Sequence, residues 1–501
     1  MTQSIPVIDL FAGPGGLGEG FSSLKKNNRR VFKLALSIEK EVSAHQTLTL
    51  RALFRAFEHR VPDAYYDYIT EKTSKQEFIS NKLIHDHLNE AKNEARNATL
   101  GETATQDIDS WIAAGIKNHS KWVLIGGPPC QAYSLAGRSK MMNFDLKKYE
   151  TDARHLLYRE YLRILKKHSP PVFIMENVKG ILSSKLDGEL IFEKIINDLS
   201  NPQRGLEYEI RSLTLETPSE ELEPRDFIIE TERYGIPQAR HRVILFGVRR
   251  DLAKKKHNIL QKKDKFVTVN DVLESMPHIR SKLSREMDSL RAWFNALQST
   301  KSLLSGWNGP LKLRLIAEME RSAQLALKIT STGSAFLEGE SNLTSNSQLN
   351  NWLIDQRIHG VTQHQARSHM RSDIQRYFFL SNYAKVLGRS AKIGEFPNKL
   401  LPAHQNAGLI DSPFQDRFRV QLADQPSTTI VSHIAKDGHY YIHPDPAQAR
   451  SLSVREAARL QTFPDNYFFE GNKTSQYGQI GNAVPPLLAN QIARIIAEFL
   501  T

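Results

Sequence analysis

A chain of 501 residues with a net charge of +12 and a single cysteine cannot close an intrachain disulfide or assemble a Cys-based zinc site, and it is long enough to build several full-sized cores. Asp9 interrupts the N-terminus before a signal-like apolar core can form, and no stretch approaches the roughly 18 apolar residues that cross a bilayer. These features fit a soluble protein of a reducing cytoplasm with no membrane role, and the excess of Lys and Arg favours a polyanionic partner.

Ile5 to Leu10 reads as a strand, followed by the tight turn Phe11-Ala12-Gly13-Pro14-Gly15-Gly16 into a helix whose apolar face begins with Leu17 and Phe21. Pro14 removes a backbone donor that a pyrophosphate would use, so the turn suits a cofactor without phosphates. Val31 to Ile38 reads as a second strand. It ends in Glu39, where Rossmann-like folds place a carboxylate for ribose hydroxyls, and together the turn and the carboxylate point to an adenosine-containing cofactor. Residues 50–98 read as a helical insertion with no assignable chemistry. Glu102 and Asp107 then compete as the carboxylate for an adenine amino group.

Val123 to Ile125 is a short buried strand stopped by Gly-Gly-Pro-Pro129, a stiff loop that presents Cys130 and Gln131 at a strand end. Leu156, Leu157, Tyr161, Leu162 and Leu165 mark an amphipathic helix. Val172 to Met175 forms another strand, and it delivers Glu176-Asn177-Val178 to the crevice that Cys130 faces. From Tyr234 to Phe246 a turn leads into a strand in which Gln238, Arg240 and Arg242 share one face by the period of two, suggesting an anion or base-edge contact.

Between 281 and 425 the βαβ rhythm disappears, helices such as Leu311–Leu327 are punctuated by Gly and Ser, and the region reads as a separate domain carrying specificity. Trp293, Trp307, Trp352, His364 and His369 fall here without metal-ligand spacing, so no metal site is expected. Pro426–Val431 and Gly438–His443 look like a hairpin, Ser453–Phe463 like a helix stopped by Pro464, and Gly481-Asn482-Ala-Val484-Pro-Pro486 opens a last helix through Leu500. The expected organisation is a first domain at 1–280, a second domain carrying specificity at 281–425, and a return to the first domain at 426–501.

Taken in this order, the motifs resemble the DNA (cytosine-5)-methyltransferases of the bacterial restriction-modification type. Asp9 to Gly16 resembles the family's S-adenosylmethionine (AdoMet) loop and Gly127-Pro-Pro-Cys-Gln131 its nucleophile loop. Glu176-Asn177-Val178, Gln238-x-Arg240-x-Arg242, Arg455 to Pro464 and Gly481 to Pro486 resemble its further motifs. The resemblance implies an α/β, Rossmann-like AdoMet-dependent domain with a smaller recognition domain, acting on double-stranded DNA as a monomer in the bacterial cytoplasm beside a restriction endonuclease. It implies Cys130 as nucleophile with Gln131 beside it, Glu176 as the acid for the ring, and Arg242, helped by Arg240, as the clamp on the cytosine carbonyl. On the cofactor side it implies Phe11, Ala12, Gly13, Gly15, Gly16, Leu17, Glu39, Glu102, Pro129, Leu157, Asn482 and Val484. Cytosine C5 is a poor nucleophile, so a thiolate must add at C6, and the base must leave the duplex for it to do so. An RNA methyltransferase of the same fold, or a silent DNA-binding protein, are the alternatives.

Overall fold

A computed structural model describes residues 4–57, 60–117, 119–129, 153–186, 189–339, 346–403 and 416–501. Its centre is β1 (Ile5–Leu10), buried along its whole length, as expected of a parallel strand covered on both faces. β2 (Phe32–Glu39) and β3 (Ala95–Asn97) follow in parallel on one side of β1, and β4 (Val123–Gly126) and β5 (Val172–Val178) on the other. Beyond β5 the sheet turns antiparallel. β6 (Tyr208–Arg211), β7 (Ile228–Glu230) and β9 (His241–Arg249) complete the order β6-β9-β5-β4-β1-β2-β3, with β7 also paired to β9, and the two-residue β8 (Gln238–Ala239) stands apart from this sheet. The order reverses at β1, so the carboxyl ends of β1, β2, β4 and β5 open into one crevice.

Helices cover both faces. On one side α1 (Gly16–Ser22) and the C-terminal helix Pro486–Leu500 pack Leu17, Phe21, Ile492, Ile496 and Phe499 against Val7, Ile125, Ile174 and Phe246. The C-terminal helix starts on Pro486, where the missing N–H costs nothing. Each of its fully buried Ile and Phe side chains stabilises the fold by roughly 1.5–3 kcal/mol. The expected docking of this helix onto the N-terminal sheet is what the structure shows.

Residues 50–98 are helical for most of their length. After α2 (Val42–Ala56) come α3 (Asp63–Ile69), α4 (Lys75–Ser80) and α5 (Lys82–Glu94), but the segment ends as β3, a strand of the main sheet. These helices share a cluster with Ile358, Phe336 and Phe468. On the second face α6 (Thr105–Ile116), α7 (Ala153–His168) and α8 (Ile191–Ser200) bury Ile112, Tyr161, Leu165 and Ile195 on Leu10, Leu124 and Leu245.

Trp293, Leu315, Tyr377, Phe379 and Phe396 of the middle region cluster together with Ile442, Ala447 and Ala449 of the C-terminal segment. The expected helix appears as Lys312–Ala326. The expected hairpin does not form: Ser427–Thr428 pairs in parallel with β8, Ser432–Ala435 is a 3-10 turn, and Ile442 instead bridges Val420 and Ser451. β-Branched and aromatic residues suggested two strands there, but partners distant in sequence won the pairing.

The helix Val454–Leu460 joins these parts and is wholly buried. Arg455 donates to Thr362 and to the Pro464 and Tyr467 carbonyls, Arg459 pairs with Asp465 at 2.7 Å, and Arg450 grips Glu456 at 2.6 and 2.7 Å. Burial opposes ionisation of Glu456, yet Arg450 and His443 hold its carboxyl well below the usual range. Because the folded value is depressed, its contribution to stability is complete above the ordinary value of 4.5 and is lost as pH falls toward the folded one. Glu456→Gln leaves Arg450 buried without a full counter-charge and should cost about 3–5 kcal/mol. The gap in melting temperature from the parent protein should hold from neutral pH down to about pH 5 and narrow only below the ordinary carboxylate value.

Candidate active site

The loop after β1 is built from left-handed residues. Phe11 and Gly13 have φ of +56° and Gly15 +90°, a sequence of turns that two glycines make accessible. The Gly15 N–H donates to the Ala12 carbonyl at 2.9 Å and the Ala12 N–H to the Ile38 carbonyl at 3.1 Å, which pins the loop to β2. Glu39 ends β2 directly beside it. One carboxylate oxygen accepts from the Gly13 N–H at 2.8 Å, the other from the Glu41 N–H at 2.8 Å. The structure thus brings together the turn and the carboxylate that the sequence set 26 residues apart.

Gly16 has no room for a side chain: a Cβ there would lie 2.2 Å from the Val484 carbonyl oxygen. Val484 and the loop after β1 are therefore in backbone contact across nearly the whole chain. The other expected cofactor residues differ in placement. Ala12, Leu157 and Pro129 are half-buried, Phe11 packs against the second-face core, and the Leu17 side chain is buried in the first-face core. Asn482 is exposed at the end of the helix Lys473–Asn482. Glu102 lies exposed in the turn after β3 and Asp107 exposed in the first turn of α6, so both carboxylates stay open to a ligand.

On the other side of β1, Gly126 and Gly127 press against their neighbours. A Cβ on Gly126 would lie 2.6 Å from the Leu10 carbonyl and one on Gly127 2.9 Å from Glu176 Oε2. Gly127, at the start of the Gly-Pro-Pro loop, therefore lies against the Glu176 carboxylate. Cys130 and Gln131 fall outside the described residues. Glu176 Oε1 lies 2.9 Å from Arg242 Nε, a contact set by the antiparallel register in which Ile244 faces Glu176. Burial pulls the Arg242 guanidinium below its ordinary value, opposed by Glu176.

Gln238, Arg240 and Arg242 do not reach one target. The strand breaks at Arg240, between β8 and β9. Gln238 accepts from the Ile430 N–H at 2.8 Å and donates to Gln461, while Arg240 is fully buried and donates to the Ile430 carbonyl at 2.7 Å and the Gly481 carbonyl at 3.2 Å. Burial, and then the charge of Arg242, pull Arg240 well below its ordinary value. The hydrogen bonds of Arg240 thus tie the strand to the C-terminal segment, and Arg242 is the guanidinium that meets Glu176.

Of two further groups at the loop, the sequence reading named one only as the start of a motif and missed the other. Asp9 is buried beneath Gly18, neither oxygen has a hydrogen-bond partner among the described residues, and burial, against the pull of Arg55, pushes its carboxyl up to about 8. An acid at the penultimate position of a fully buried strand is the signal that sets it apart within that motif. Tyr467 donates its hydroxyl to the Pro14 carbonyl from 453 residues away, and no local pattern announces that.

Residues 90–498 match the family described as C-5 cytosine-specific DNA methylase. The chain belongs to this family. As a C-5 cytosine-specific DNA methylase it is an enzyme, a DNA (cytosine-5-)-methyltransferase of the restriction-modification type. It is 32% identical to the type II methyltransferase M.Bpa9945I of Bacillus paralicheniformis over 99% of both chains. It is also 27% identical to the type II methyltransferase M.AgeI of Thalassovita gelatinovora over 98% of both. With the DNA (cytosine-5-)-methyltransferase M.ApeKI of Aeropyrum pernix it shares 23% identity, covering 80% of this chain and 87% of that one. Its fold matches a crystal structure of a candidate DNA modification methyltransferase encoded within an E. coli prophage, with a TM-score of 0.52 at 20% identity over 99% of each chain. Among the described residues of this DNA methylase no helix is long and apolar enough to cross a membrane.

The two loop glycines should respond differently to alanine. At Gly13 a Cβ meets nothing within 4 Å, so only the left-handed backbone resists it, at about 1–2 kcal/mol. Gly16→Ala forces backbone apart at Val484 and should cost roughly 3 kcal/mol or more. Thermal unfolding of the two variants reads the difference, and equal losses would contradict the backbone contact.

Proposed function

We propose that this enzyme transfers a methyl group from AdoMet to C5 of a cytosine flipped out of a specific double-stranded DNA sequence, through a covalent bond between Cys130 Sγ and C6. The observation that carries the reading is the Glu176–Arg242 pair, 2.9 Å apart at the carboxyl edge of the sheet, with Gly127, at the start of the loop that leads to Cys130, against the Glu176 carboxylate. The residues of the Gly13–Gly16 loop fit the cofactor. Space is open above Gly13, Pro14 offers no phosphate donor, and the Glu39 carboxylate stands beside the turn to accept ribose hydroxyls. Phe11, Leu157, Pro129 and Val484 would line this site, with Glu102 or Asp107 at the adenine. Bound there, AdoMet supplies an electrophilic methyl group.

The chain's own residues then have separable tasks. The Cys130 thiolate adds to C6 and makes C5 nucleophilic, and nearby positive charge favours the thiolate. Glu176 gives a proton to N3 as charge enters the ring, so that the carbanion character at C5 is not stranded. Arg242 binds the O2 side and orients the Glu176 carboxyl through the contact they already make. Once C5 carries the methyl group, water takes the C5 proton as Sγ departs as the thiolate, and N3 returns its proton to the Glu176 carboxylate, which restores both the ring and the catalyst. Flipping costs a few kcal/mol of stacking and pairing. Lys and Arg contacts to phosphates, drawn from a net charge of +12, offset it. In a bacterial cytoplasm the product protects host DNA from a partner endonuclease, and residues 281–425 choose the sequence.

Expression in a bacterial host without cytosine methylation, followed by bisulfite sequencing, tests the reading. Protected cytosines confined to one short motif are expected, and full conversion with soluble, folded protein would overturn it. Cys130→Ala should abolish transfer while DNA binding persists in a gel-shift assay. Glu176→Gln should lower kcat by about 100-fold or more with cofactor affinity unchanged. Parallel losses in both would assign Glu176 a structural role.

A further inference from the structure

The cofactor loop rests on a pedestal whose parts come from three distant segments. Tyr467, from the turn after the buried helix Val454–Leu460, is fully buried and donates its hydroxyl to the Pro14 carbonyl. Burial keeps the phenol protonated, so it is a donor at any physiological pH. The same peptide unit is held at its other end, where the Gly15 N–H donates to Ala12 at 2.9 Å. Gly15 itself lies flat on the pedestal: a Cβ there would stand 2.7 Å from Leu48 and 2.9 Å from the Tyr467 hydroxyl. The ring is braced in turn. The Arg51 guanidinium stands 4.8 Å from its centroid and 3.9 Å from that of Phe54, and donates from Nε to Glu19 at 2.9 Å and from Nη1 to Asn466 at 3.0 Å. Burial opposes charge on Glu19, but Arg51 and Arg55 overcome it and hold the carboxyl below its ordinary value, so the brace is an ion pair.

We propose that Tyr467, braced by Arg51, is a positioning residue for the cofactor: its hydrogen bond fixes the orientation of the Pro14–Gly15 peptide and so the shape of the loop that receives AdoMet. A glycine at φ +90° gives this peptide little rigidity of its own, and a hydrogen bond at each end supplies it. This rests on the reading that AdoMet binds at Gly13–Gly16. The pedestal makes no contact with Glu176 or Arg242 and leaves the chemical step alone. It also gives the helical segment after β2 a task, since Arg51 lies on α2 and Tyr65 of α3 donates to the Asn466 carbonyl at 3.0 Å.

Calorimetric titration of the full chain with S-adenosylhomocysteine, together with steady-state kinetics, tests it. Tyr467→Phe removes only the hydroxyl. The dissociation constant and the KM for AdoMet should rise about tenfold, the loss of one buried hydrogen bond, while kcat and the KM for DNA stay within about twofold. An unchanged dissociation constant overturns the proposal, as does a fall in kcat with both KM values held. Failure of the parent protein to bind S-adenosylhomocysteine would instead remove the cofactor reading itself. Should Tyr467→Phe not fold, Arg51→Lys keeps the charge opposite Glu19 and loses the planar guanidinium over the ring. It should weaken binding about threefold, and no change there overturns the proposal equally.

Discussion

The backbone contact between Gly16 and Val484 is the constraint on which the rest of the molecule depends. It joins the loop after β1 to the segment that opens the last helix, so that loop packs directly against the C-terminal part of the chain. α1 has only seven residues, too few to be stable alone in water. Its stability comes from the last helix, which meets it at Gly20, where a Cβ would lie 2.3 Å from that of Ala489 and the Asn490 amide donates to the Gly20 carbonyl at 2.9 Å. Small residues on one helix let the other approach, and the apolar stripe from Leu488 to Leu500 then closes the first-face core. The same helix thus packs against α1, at the end of the loop after β1, and closes the core beneath it.

The second constraint is a set of charges buried where the segments converge. Arg450, Arg455 and Arg459 would each be prohibitive if left unpaired. Each is met: Arg450 by Glu456, Arg459 by Asp465, Arg455 by carbonyls and the Thr362 hydroxyl. His364 bridges the Ser453 hydroxyl and the Pro277 carbonyl at 2.8 Å each, and burial pulls it down to about 4, so it adds no charge to the cluster. Such contacts are directional. They fix the strand Gly360–Gln365 and the 277–280 segment to the Val454–Leu460 helix with a geometry that apolar packing alone would leave looser.

Much of this was legible in the sequence, and what was not shares a physical cause. β1, β2, β4 and β5 appear where apolar runs end in Gly, Glu or Pro, because a strand buried on both faces leaves a continuous signal. Glu39 beside the loop follows from strand order alone. The 238–242 segment misled, because a period of two holds only along an unbroken strand, and the break at Arg240 leaves Gln238 and Arg240 on Ile430 and the C-terminal segment while Arg242 alone meets Glu176. The hairpin at 426–443 failed for a related reason, since β8 competes for Ser427–Thr428 from 189 positions earlier, a pairing that no short-range pattern contains. The pedestal under Pro14 was invisible on the same ground: Tyr467, Arg51 and Glu19 meet only in the folded chain.

The separation of Arg240 from Arg242 also bears on how the site handles charge. Arg242 lies at the strand position opposite Val178, which sets its guanidinium on the Glu176 carboxylate. Arg240 spends its Nη donors on two carbonyls and is wholly removed from solvent, yet its charge is felt at Arg242 and Glu176. A guanidinium held by neutral carbonyls keeps its full positive field, and in a medium with little water that field reaches further than it would at the surface. Glu176 therefore stands beside one positive group that it touches and within the field of another that it does not. In the proposed reaction Glu176 is left as a carboxylate once it has given its proton to the ring, and both arginines stabilise that product of the step. The buried arginine that the sequence placed at the substrate thus acts on the site through its field, from a position fixed by the C-terminal segment.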